Sequence, residues 1–327
     1  MYINMQPDAV GIDLPLKEVI LLAAKHGFGG VDLPLRSIGE GQESMPLEQI
    51  KDMMAGADLR FGNFGAPWDY AEDELIFDKR IEELKAWLPI AQRLGCDRAT
   101  SGAIPCSDEL DYGANFDLHV ARLTPIAQLM ADHGIRFGLE FIGPKTLRDE
   151  KRYEFIHTLP QMLELVAAIT PPGGEYYVGV LLDSYHWYTS EGTAEQLTGL
   201  LDNQKIVVVH INDAVAGRGR DEQMDLERQL PCTTGIIDSK TFVDCIKSIG
   251  YRGPVTVEPF DAELEKQEPD VIAKRVIMSA EKMLQLVIEQ DNTTAPHIRT
   301  FAPPAQREQS DFLPRLQRSA VFAPIRL

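Results

Sequence analysis

The 327-residue sequence lacks the features that mark several large classes of protein. Its four cysteines contain no CxxC pair, so no disulfide framework is predicted. No run approaches the ~20 consecutive apolar residues of a membrane-spanning helix. The first residues carry neither the basic cluster nor the apolar core of a secretory signal. We therefore expect a reducing, cytoplasmic setting.

Basic charge is also scarce in this chain. Lys and Arg total 32 against 50 Asp and Glu, which gives a formal net charge of −18. Nucleic acids and acidic membranes bind basic surfaces, so we predict neither as a partner. An acidic protein with 44% apolar and 25% charged residues suits a globular enzyme that acts on a small molecule and binds a cation.

Strand-like and helix-like segments alternate along residues 1–290 and give eight β/α units. A doubly wound open sheet is the alternative, but the Gly-rich phosphate loop that usually follows its first strand is missing. Eight parallel strands, each followed by a helix, close into a barrel of about 250 residues or more. We therefore predict one (β/α)8 TIM-barrel domain over residues 1–290.

Residues 291–327 have a different composition, rich in proline and in arginine. The prolines forbid a long helix, yet the apolar residues among them are too many for a fully solvated tail. This Pro-rich C-terminal extension is either a frayed terminus or an arm that lies on its own barrel or on a second subunit. The second reading predicts a homo-oligomer formed through the arm.

Four short apolar runs each end in a residue that can bind a metal. These runs are Phe137-Gly-Leu-Glu140, Val178-Gly-Val-Leu-Leu-Asp183, Ile206-Val-Val-Val-His210 and Val255-Thr-Val-Glu258. Such runs are typical of strands buried on both faces, and a charged group at the end of one must be paired, hydrogen-bonded or metal-bound. Four successive strand ends of this kind predict one convergent site.

One imidazole and three carboxylates suit a single divalent cation, with Mn²⁺ as first choice and Mg²⁺, Co²⁺ or Zn²⁺ as alternatives. Each residue also has a purely structural alternative. Glu140 and Glu258 would form salt bridges, Asp183 would cap a turn, and His210 would be a hydrogen-bonded core histidine.

Further candidates lie near the same strand ends. His186 follows Asp183 by three residues, where a neutral imidazole would hold a substrate oxygen or transfer a proton. Trp68 and Trp187 would form apolar walls for a sugar, or would belong to the core or the surface. The long loop after His210 carries arginines suited to binding substrate oxygens, although a solvated charged loop is the alternative.

These segments resemble the xylose-isomerase-like barrel superfamily, in particular its sugar phosphate isomerase/epimerase branch, over roughly residues 1–290. The resemblance rests on Gly138-Leu-Glu140-Phe, Leu182-Asp183-Ser-Tyr-His186, Val209-His210-Ile-Asn-Asp213 and Val257-Glu258-Pro-Phe. It implies one divalent metal held by Glu140, Asp183, His210 and Glu258. It also implies that His186 contacts the substrate.

The resemblance further implies a substrate-binding arginine before a Pro-Gly-x-Gly turn. Its distance from Pro231 indicates Arg228, whereas its distance from His210 favours Arg218. This chain departs from the family at the turn, where it reads Pro231-Cys-Thr-Thr-Gly235. The superfamily's repair endonucleases carry extra histidines at the second and third strand ends. Val31-Asp-Leu-Pro34 and Asn63-Phe-Gly-Ala-Pro67 have none, which argues against a nuclease.

The implied reaction is isomerisation or epimerisation of a keto sugar or ketocyclitol through an enediolate. Glu140 and Glu258 would be the acid/base pair: one removes a proton and the other returns one. The same intermediate can instead expel a β-substituent, so a dehydratase or lyase acting on a 3-keto sugar or 3-keto-glycoside is the alternative. A non-catalytic metal-binding subunit is a further alternative.

Overall fold

The computed structural model describes residues 1–67 and 69–285. Nine strands form one parallel sheet in the order β3-β2-β1-β11-β10-β9-β7-β5-β4. They are β1 (Tyr2–Met5), β2 (Gly30–Val31), β3 (Arg60–Phe61), β4 (Phe64–Gly65), β5 (Arg98–Ala103), β7 (Arg136–Phe141), β9 (Val178–Asp183), β10 (Ile206–Ile211) and β11 (Pro254–Val257). Two further strands, β6 (Cys106–Ser107) and β8 (Tyr153–Glu154), pair antiparallel and join the loops that follow β5 and β7.

The two end strands of this sheet belong to one stretch of chain. Only Gly62 and Asn63 separate β3 from β4. The first part of the stretch pairs with β2 and the second part with β5, so the sheet closes on itself. Because β3 and β4 together make the third barrel strand, the predicted eight-stranded TIM barrel is confirmed.

Eleven helices connect the strands within the described residues. They are α1 (Leu16–His26), α2 (Leu35–Gly39), α3 (Leu47–Gly56), α4 (Glu74–Leu94), α5 (Tyr112–Asp132), α6 (Lys145–Arg148), α7 (Leu159–Ile169), α8 (Ser184–Thr189), α9 (Ala194–Leu200), α10 (Ser239–Ser248) and α11 (Pro269–Gln285). The longer helices are amphipathic, and α1 buries Leu16, Val19, Ile20 and Ala23 at helical spacing.

The helix ends follow the local sequence. Gly27 and Gly95 end α1 and α4 in the left-handed conformation, at φ +81° and +76°. Asp238 accepts a hydrogen bond from the Thr241 amide, as the predicted N-cap of α10 should. Asp111 caps α5 in the same way, and the helix therefore begins three residues earlier than the sequence pattern predicted.

Helix α8 positions part of the site. The chain turns helical immediately after Asp183. The Asp183 carboxylate accepts from the Tyr185 amide and starts this helix. His186 is consequently held inside a helix at the end of the strand rather than in an open loop.

Residues 286–327 lie outside the described part of the chain. The predicted domain boundary at 290 and the predicted arm at 291–327 therefore stay predictions. Among the described residues, no helix is both long and apolar enough to cross a membrane.

Candidate metal centre and active site

Adjacent strand ends bring the four predicted ligand residues together. In the sheet register His210 lies opposite Asp183, and Glu140 lies opposite Leu181 on β9. One ligand atom from each of Glu140, Asp183, His210 and Glu258 falls within 4.8 Å of the others, and all four residues are buried. We call these four residues the four-ligand cluster.

The geometry of the cluster fits a divalent cation. The Nδ1 atom of His210 is 3.1 Å from Glu258 Oε2, and 4.0 Å from both Glu140 Oε1 and Asp183 Oδ2. Within the described structure Glu140 Oε1 and His210 Nε2 are buried without a hydrogen-bond partner. Three buried carboxylates with an unpaired oxygen among them are what a cation would neutralise, and oxygen with imidazole is a common ligand set for Mn²⁺, Mg²⁺, Co²⁺ or Zn²⁺.

Asn212 orients two members of the cluster at once. Its Nδ2 donates to both carboxylate oxygens of Asp183, at 3.2 and 3.0 Å, and its Oδ1 accepts from the backbone amide of Glu258 at 3.0 Å. The backbone amide of Asn212 donates to Ser184 Oγ at 2.9 Å. The sequence pattern did not mark Asn212 as a functional residue. A polar residue two places after a metal ligand can nevertheless indicate that its side chain orients the ligands.

Arg228 is buried at the centre of the site. Its Nη1 donates to Asp183 Oδ2 and to Glu258 Oε2, both at 3.0 Å, and its Nη2 donates to Asp225 Oδ1 at 2.9 Å. The guanidinium also lies over the Tyr185 ring, 4.8 Å from its centroid. Of the two arginines left open by the sequence, the structure therefore brings Arg228 to the cluster.

Arg218 does not reach the cluster. It forms an ion pair with Glu227, and both side chains are partly or largely exposed. Arg218 therefore lies outside the four-ligand cluster, and its contact with a substrate stays a prediction.

His186 lies against the cluster without belonging to it. It is fully buried, and its Nδ1 accepts from the Gly143 amide at 3.2 Å. Its Nε2 is 3.6 Å from Glu140 Oε1 and 3.3 Å from Arg228 Nη2. Burial and the Arg228 charge lower the pKa of His186 to about 3, so the imidazole is neutral.

The two glutamates have opposite proton affinities. Burial raises the pKa of Glu140 well above its ordinary value, and the nearby charge of Glu258 adds to this effect. Burial also acts to raise the pKa of Glu258, but His210 and Arg228 outweigh it and hold that pKa at about 2. Glu140 therefore keeps a proton under conditions in which Glu258 is ionised.

His210 takes part in the same charge network. Burial alone would lower its pKa, but Glu258, Glu140 and Asp183 outweigh burial and raise the pKa to about 9. A metal that binds this imidazole has to displace a proton.

The turn that differs from the family pattern is held by Asp213. The Asp213 carboxylate accepts from the amides of Thr234, Gly235 and Ile237. Cys232 adopts φ +59°, a left-handed conformation that glycine adopts with less strain. The residue after Pro231 therefore has the left-handed backbone conformation that glycine favours, although here it carries a side chain.

Of the two tryptophans predicted to form apolar walls of the substrate pocket, the structure describes Trp187. Trp187 was a candidate for the substrate pocket, but it packs in the core with its ring 5.6 Å from that of Phe242. Its indole Nε1 donates to the Thr193 carbonyl at 3.4 Å. The core alternative is therefore the correct one for Trp187. Trp68 lies outside the described residues.

Comparisons with known proteins agree with the architecture. The sequence profile of the family described as "Xylose isomerase-like TIM barrel" matches residues 20–280. A xylose isomerase domain protein from Alicyclobacillus acidocaldarius has a similar structure, with a TM-score of 0.76 and 28% identity over 86% of this chain and 97% of that one. The IOLI protein, solved with a bound zinc atom, gives a TM-score of 0.74 at 20% identity over 87% of this chain and 98% of its own.

Three characterised relatives are similar in sequence at low identity. Inosose isomerase of Bacillus velezensis is 23% identical over 84% of this chain and 92% of its own length. L-ribulose 3-epimerase of Methylomonas sp. is 23% identical over 76% of this chain and 79% of its own length. The 3-dehydroshikimate dehydratase of Pseudomonas putida is 24% identical over 90% of this chain but only 44% of its own length.

Proposed function

This chain belongs to the xylose isomerase-like TIM barrel family, and we propose that it is a divalent-metal-dependent isomerase or epimerase of a keto sugar or ketocyclitol. The observation that carries the proposal is the buried cluster of Glu140, Asp183, His210 and Glu258, whose ligand atoms lie within 4.8 Å of one another. Before a metal binds, the pKa values of Glu140 and Glu258 are displaced in opposite directions, which supports assigning one as the acid and the other as the base.

A divalent cation held by Glu140, Asp183, His210 and Glu258 would act as a Lewis acid on the substrate's carbonyl and neighbouring hydroxyl oxygens. Glu258, the ionised carboxylate, takes the proton from the carbon next to the carbonyl, and an enediolate forms. Glu140, the protonated carboxyl, returns a proton. Return to the opposite face of the same carbon is epimerisation, and return to the adjacent carbon is isomerisation.

His186 and Arg228 orient the reacting oxygens in this proposal. The neutral His186 faces a donor at each ring nitrogen, the Gly143 amide at Nδ1 and Arg228 Nη2 at Nε2, and Nε2 also lies 3.6 Å from Glu140 Oε1. In this proposal Nε2 forms a hydrogen bond with a substrate hydroxyl. Arg228 holds Asp183 and Glu258 in place, and it stabilises negative charge that develops on the substrate.

The relatives support the reaction class. Relatives named inosose isomerase and L-ribulose 3-epimerase both match most of this chain, each at 23% identity. The match to 3-dehydroshikimate dehydratase favours β-elimination as the second candidate function. The same proton abstraction by Glu258 would then be followed by loss of a β-hydroxyl.

The proposal is tested by solvent deuterium exchange. Protein loaded with Mn²⁺, and in parallel with Mg²⁺, Co²⁺ or Zn²⁺, is incubated in D₂O with a panel of ketohexoses, ketopentoses and inososes and followed by NMR. Deuterium at the carbon next to the carbonyl with a new epimer or isomer supports the proposal. An unsaturated product identifies the elimination instead. No exchange with any compound leaves the non-catalytic alternative.

A further inference from the structure

A second group of polar side chains lines the side of the barrel away from the four-ligand cluster. It consists of Asn4 on β1, Asp32 directly after β2, Asn63 between β3 and β4, and Thr100 on β5. We call these four residues the polar arc. In the sheet register Asn4 lies opposite Thr256, two residues before Glu258, so the arc continues from the edge of the cluster.

Two amides fix the orientation of Asp32. Asn4 Nδ2 and Asn63 Nδ2 both donate to Asp32 Oδ1, at 2.6 and 2.7 Å. Each amide is itself anchored, since Thr100 Oγ1 donates to Asn63 Oδ1 at 2.9 Å and Asn4 Nδ2 also contacts Thr256 Oγ1 at 3.2 Å. No group within residues 1–67 and 69–285 donates to Asp32 Oδ2. The two oxygens of one carboxylate therefore have different surroundings.

This arrangement has a structural cost. Asn4 is fully buried, yet its Oδ1 has no hydrogen-bond partner in the described structure. An unpaired buried acceptor is unfavourable, and apolar packing would avoid it. The neighbouring chain also accommodates Asn4, because a Cβ at Gly62 would lie 2.1 Å from Asn4 Oδ1. Because this unfavourable arrangement is retained around the Asp32 carboxylate, we infer that Asp32 has a role beyond packing.

Asp32 is also close enough to the cluster to interact with its charges. Burial raises its pKa to about 7, the Asn4 hydrogen bond opposes this, and His210 and Glu258 act on it from across the site. Asp32 itself is only half-buried, unlike Asn4 and Asn63. Asp32 directly follows β2, at the carboxyl end of the strand, where TIM barrels bind their ligands.

We propose that Asp32 Oδ2 accepts hydrogen bonds from hydroxyl groups of the substrate, on carbons away from the one that exchanges its proton. Asp32 is ionised above about pH 7, and an ionised acceptor makes the stronger hydrogen bonds to sugar hydroxyls, so binding is measured at about pH 8. This inference rests on the proposed function for the identity of the reacting carbon, but the binding subsite itself can be tested separately.

The same group selects the charge of the substrate. Asp32 places a carboxylate where the far end of a substrate would lie, and Arg228 is already bonded to Asp183, Glu258 and Asp225. A phosphate at that end would meet a negative charge without a free cation from Arg228. The substrate class that fits is an uncharged polyhydroxy ketone rather than a sugar phosphate.

Binding of non-reacting probes tests the subsite. myo-Inositol, an uncharged cyclic polyol without a carbonyl, and myo-inositol 1-phosphate are titrated into the metal-loaded protein and followed by ligand-observed NMR. Asp32→Asn keeps an oxygen for Asn4 and Asn63 but presents an NH₂ donor in place of the free acceptor. The matched control is Asp8→Asn, which removes an exposed carboxylate whose charge acts on Asp32 but which is not part of the arc.

We expect the wild-type protein and Asp8→Asn to bind myo-inositol more tightly than its phosphate. Asp32→Asn should weaken myo-inositol binding by about tenfold or more, as expected for the loss of a charged hydrogen-bond partner. The Asp32→Asn variant should also bind myo-inositol and myo-inositol 1-phosphate with more similar affinities than the wild-type protein does. Its metal content and melting temperature should be unchanged. Asp32→Ala, measured in the same way, guards against misfolding of one variant.

Equal myo-inositol affinities for the wild-type protein and Asp32→Asn would overturn the proposal. So would a wild-type preference for the phosphate, or no binding of myo-inositol to the wild-type protein. The proposed function fails independently of this result, through absent deuterium exchange in the wild-type protein. If the wild-type protein exchanges deuterium and Asp32→Asn keeps the wild-type KM, the proposed function is supported and the proposed Asp32 subsite is contradicted.

Discussion

The two sides of the barrel mouth carry different kinds of side chain. The four-ligand cluster, at the ends of β7, β9, β10 and β11, is formed by four buried ionisable groups, two of which have a buried atom without a hydrogen-bond partner in the described structure. The polar arc, on β1, β2, the β3/β4 strand and β5, consists of neutral amides and a hydroxyl around one carboxylate. The groups that can transfer protons are concentrated on the side of the four-ligand cluster. The groups on the side of the polar arc mainly form hydrogen bonds. The comparison suggests that one barrel separates its chemistry from its recognition.

The largest expected effect comes from removing a ligand from the cluster. His210→Ala or Asp183→Asn should abolish metal binding and activity, whereas Thr100→Val in the polar arc should leave metal binding in place. Metal at a hundred times its Kd stabilises a native protein by about 2.7 kcal/mol, and the two cluster variants should lose this stabilisation. Elemental analysis and thermal melting with and without chelator measure both effects. Full metal occupancy in His210→Ala would remove that residue from the ligand set.

The next effect separates the two glutamates within the cluster. Each of Glu258→Gln and Glu140→Gln should lower kcat by about 10²–10⁴-fold, the usual contribution of a general acid or base. Glu258→Gln should also lose deuterium exchange, because nothing removes the proton. Glu140→Gln should keep exchange without net conversion, because Glu258 can return a solvent deuteron to the same face. Identical exchange in both variants, at equal metal content, would contradict the assigned roles.

Residues beside the cluster should affect turnover without affecting the metal. His186→Ala and Arg228→Ala are expected to lower kcat/KM by about 10²-fold, because substrate positioning is lost while the four ligands remain. Arg218→Ala is the matched control, since its charge is paired with Glu227. Metal analysis and steady-state kinetics distinguish the cases. A loss of metal in His186→Ala would make that histidine a ligand.

The sequence predicted one side of the mouth much better than the other. Long apolar strands that end in Glu140, Asp183, His210 or Glu258 leave a visible pattern, because a buried charge at the end of such a strand needs a partner. The polar arc leaves none. Strand β2 has two residues, the third barrel strand is interrupted at Gly62 and Asn63, and asparagine and threonine are common in turns without any ligand. In the segments around Asp32 and Asn63 the sequence shows only the absence of histidine.

Contacts between distant parts of the chain were also beyond the sequence pattern. The choice between Arg218 and Arg228 depended on how the loop after β10 folds, and Asp213 fixes that fold through three backbone amides. Trp187 was assigned to the pocket because it follows Asp183 closely. The helix that Asp183 itself caps turns Trp187 into the core instead.

A pH titration sharpens the difference between the two sides. In the metal-free site the negative charges around His210 outweigh burial and raise its pKa from 6.5 to about 9. The imidazole is therefore protonated below about pH 9, and metal binding must release that proton. The His210 proton alone should make metal affinity rise by about tenfold per pH unit between about pH 6 and about pH 8, and the rise should be steeper where the Glu140 proton is displaced as well. Competition with a chelating dye at several pH values measures it. An affinity independent of pH would mean that His210 is already neutral.

The smallest expected effect concerns Cys232, in the turn held by Asp213, which belongs to neither the four-ligand cluster nor the polar arc. At φ +59° its side chain is strained, and glycine would relieve that strain while giving the unfolded chain more freedom. The net gain for Cys232→Gly should be about 0.5–1 kcal/mol in the free energy of unfolding, with kcat and KM unchanged. Thr233→Gly, at an exposed neighbour without a positive φ, is the matched control and should be destabilised. Urea unfolding of the three proteins decides the point. If both glycine variants lose stability equally, Cys232 is not strained, and the departure from the family turn carries no cost.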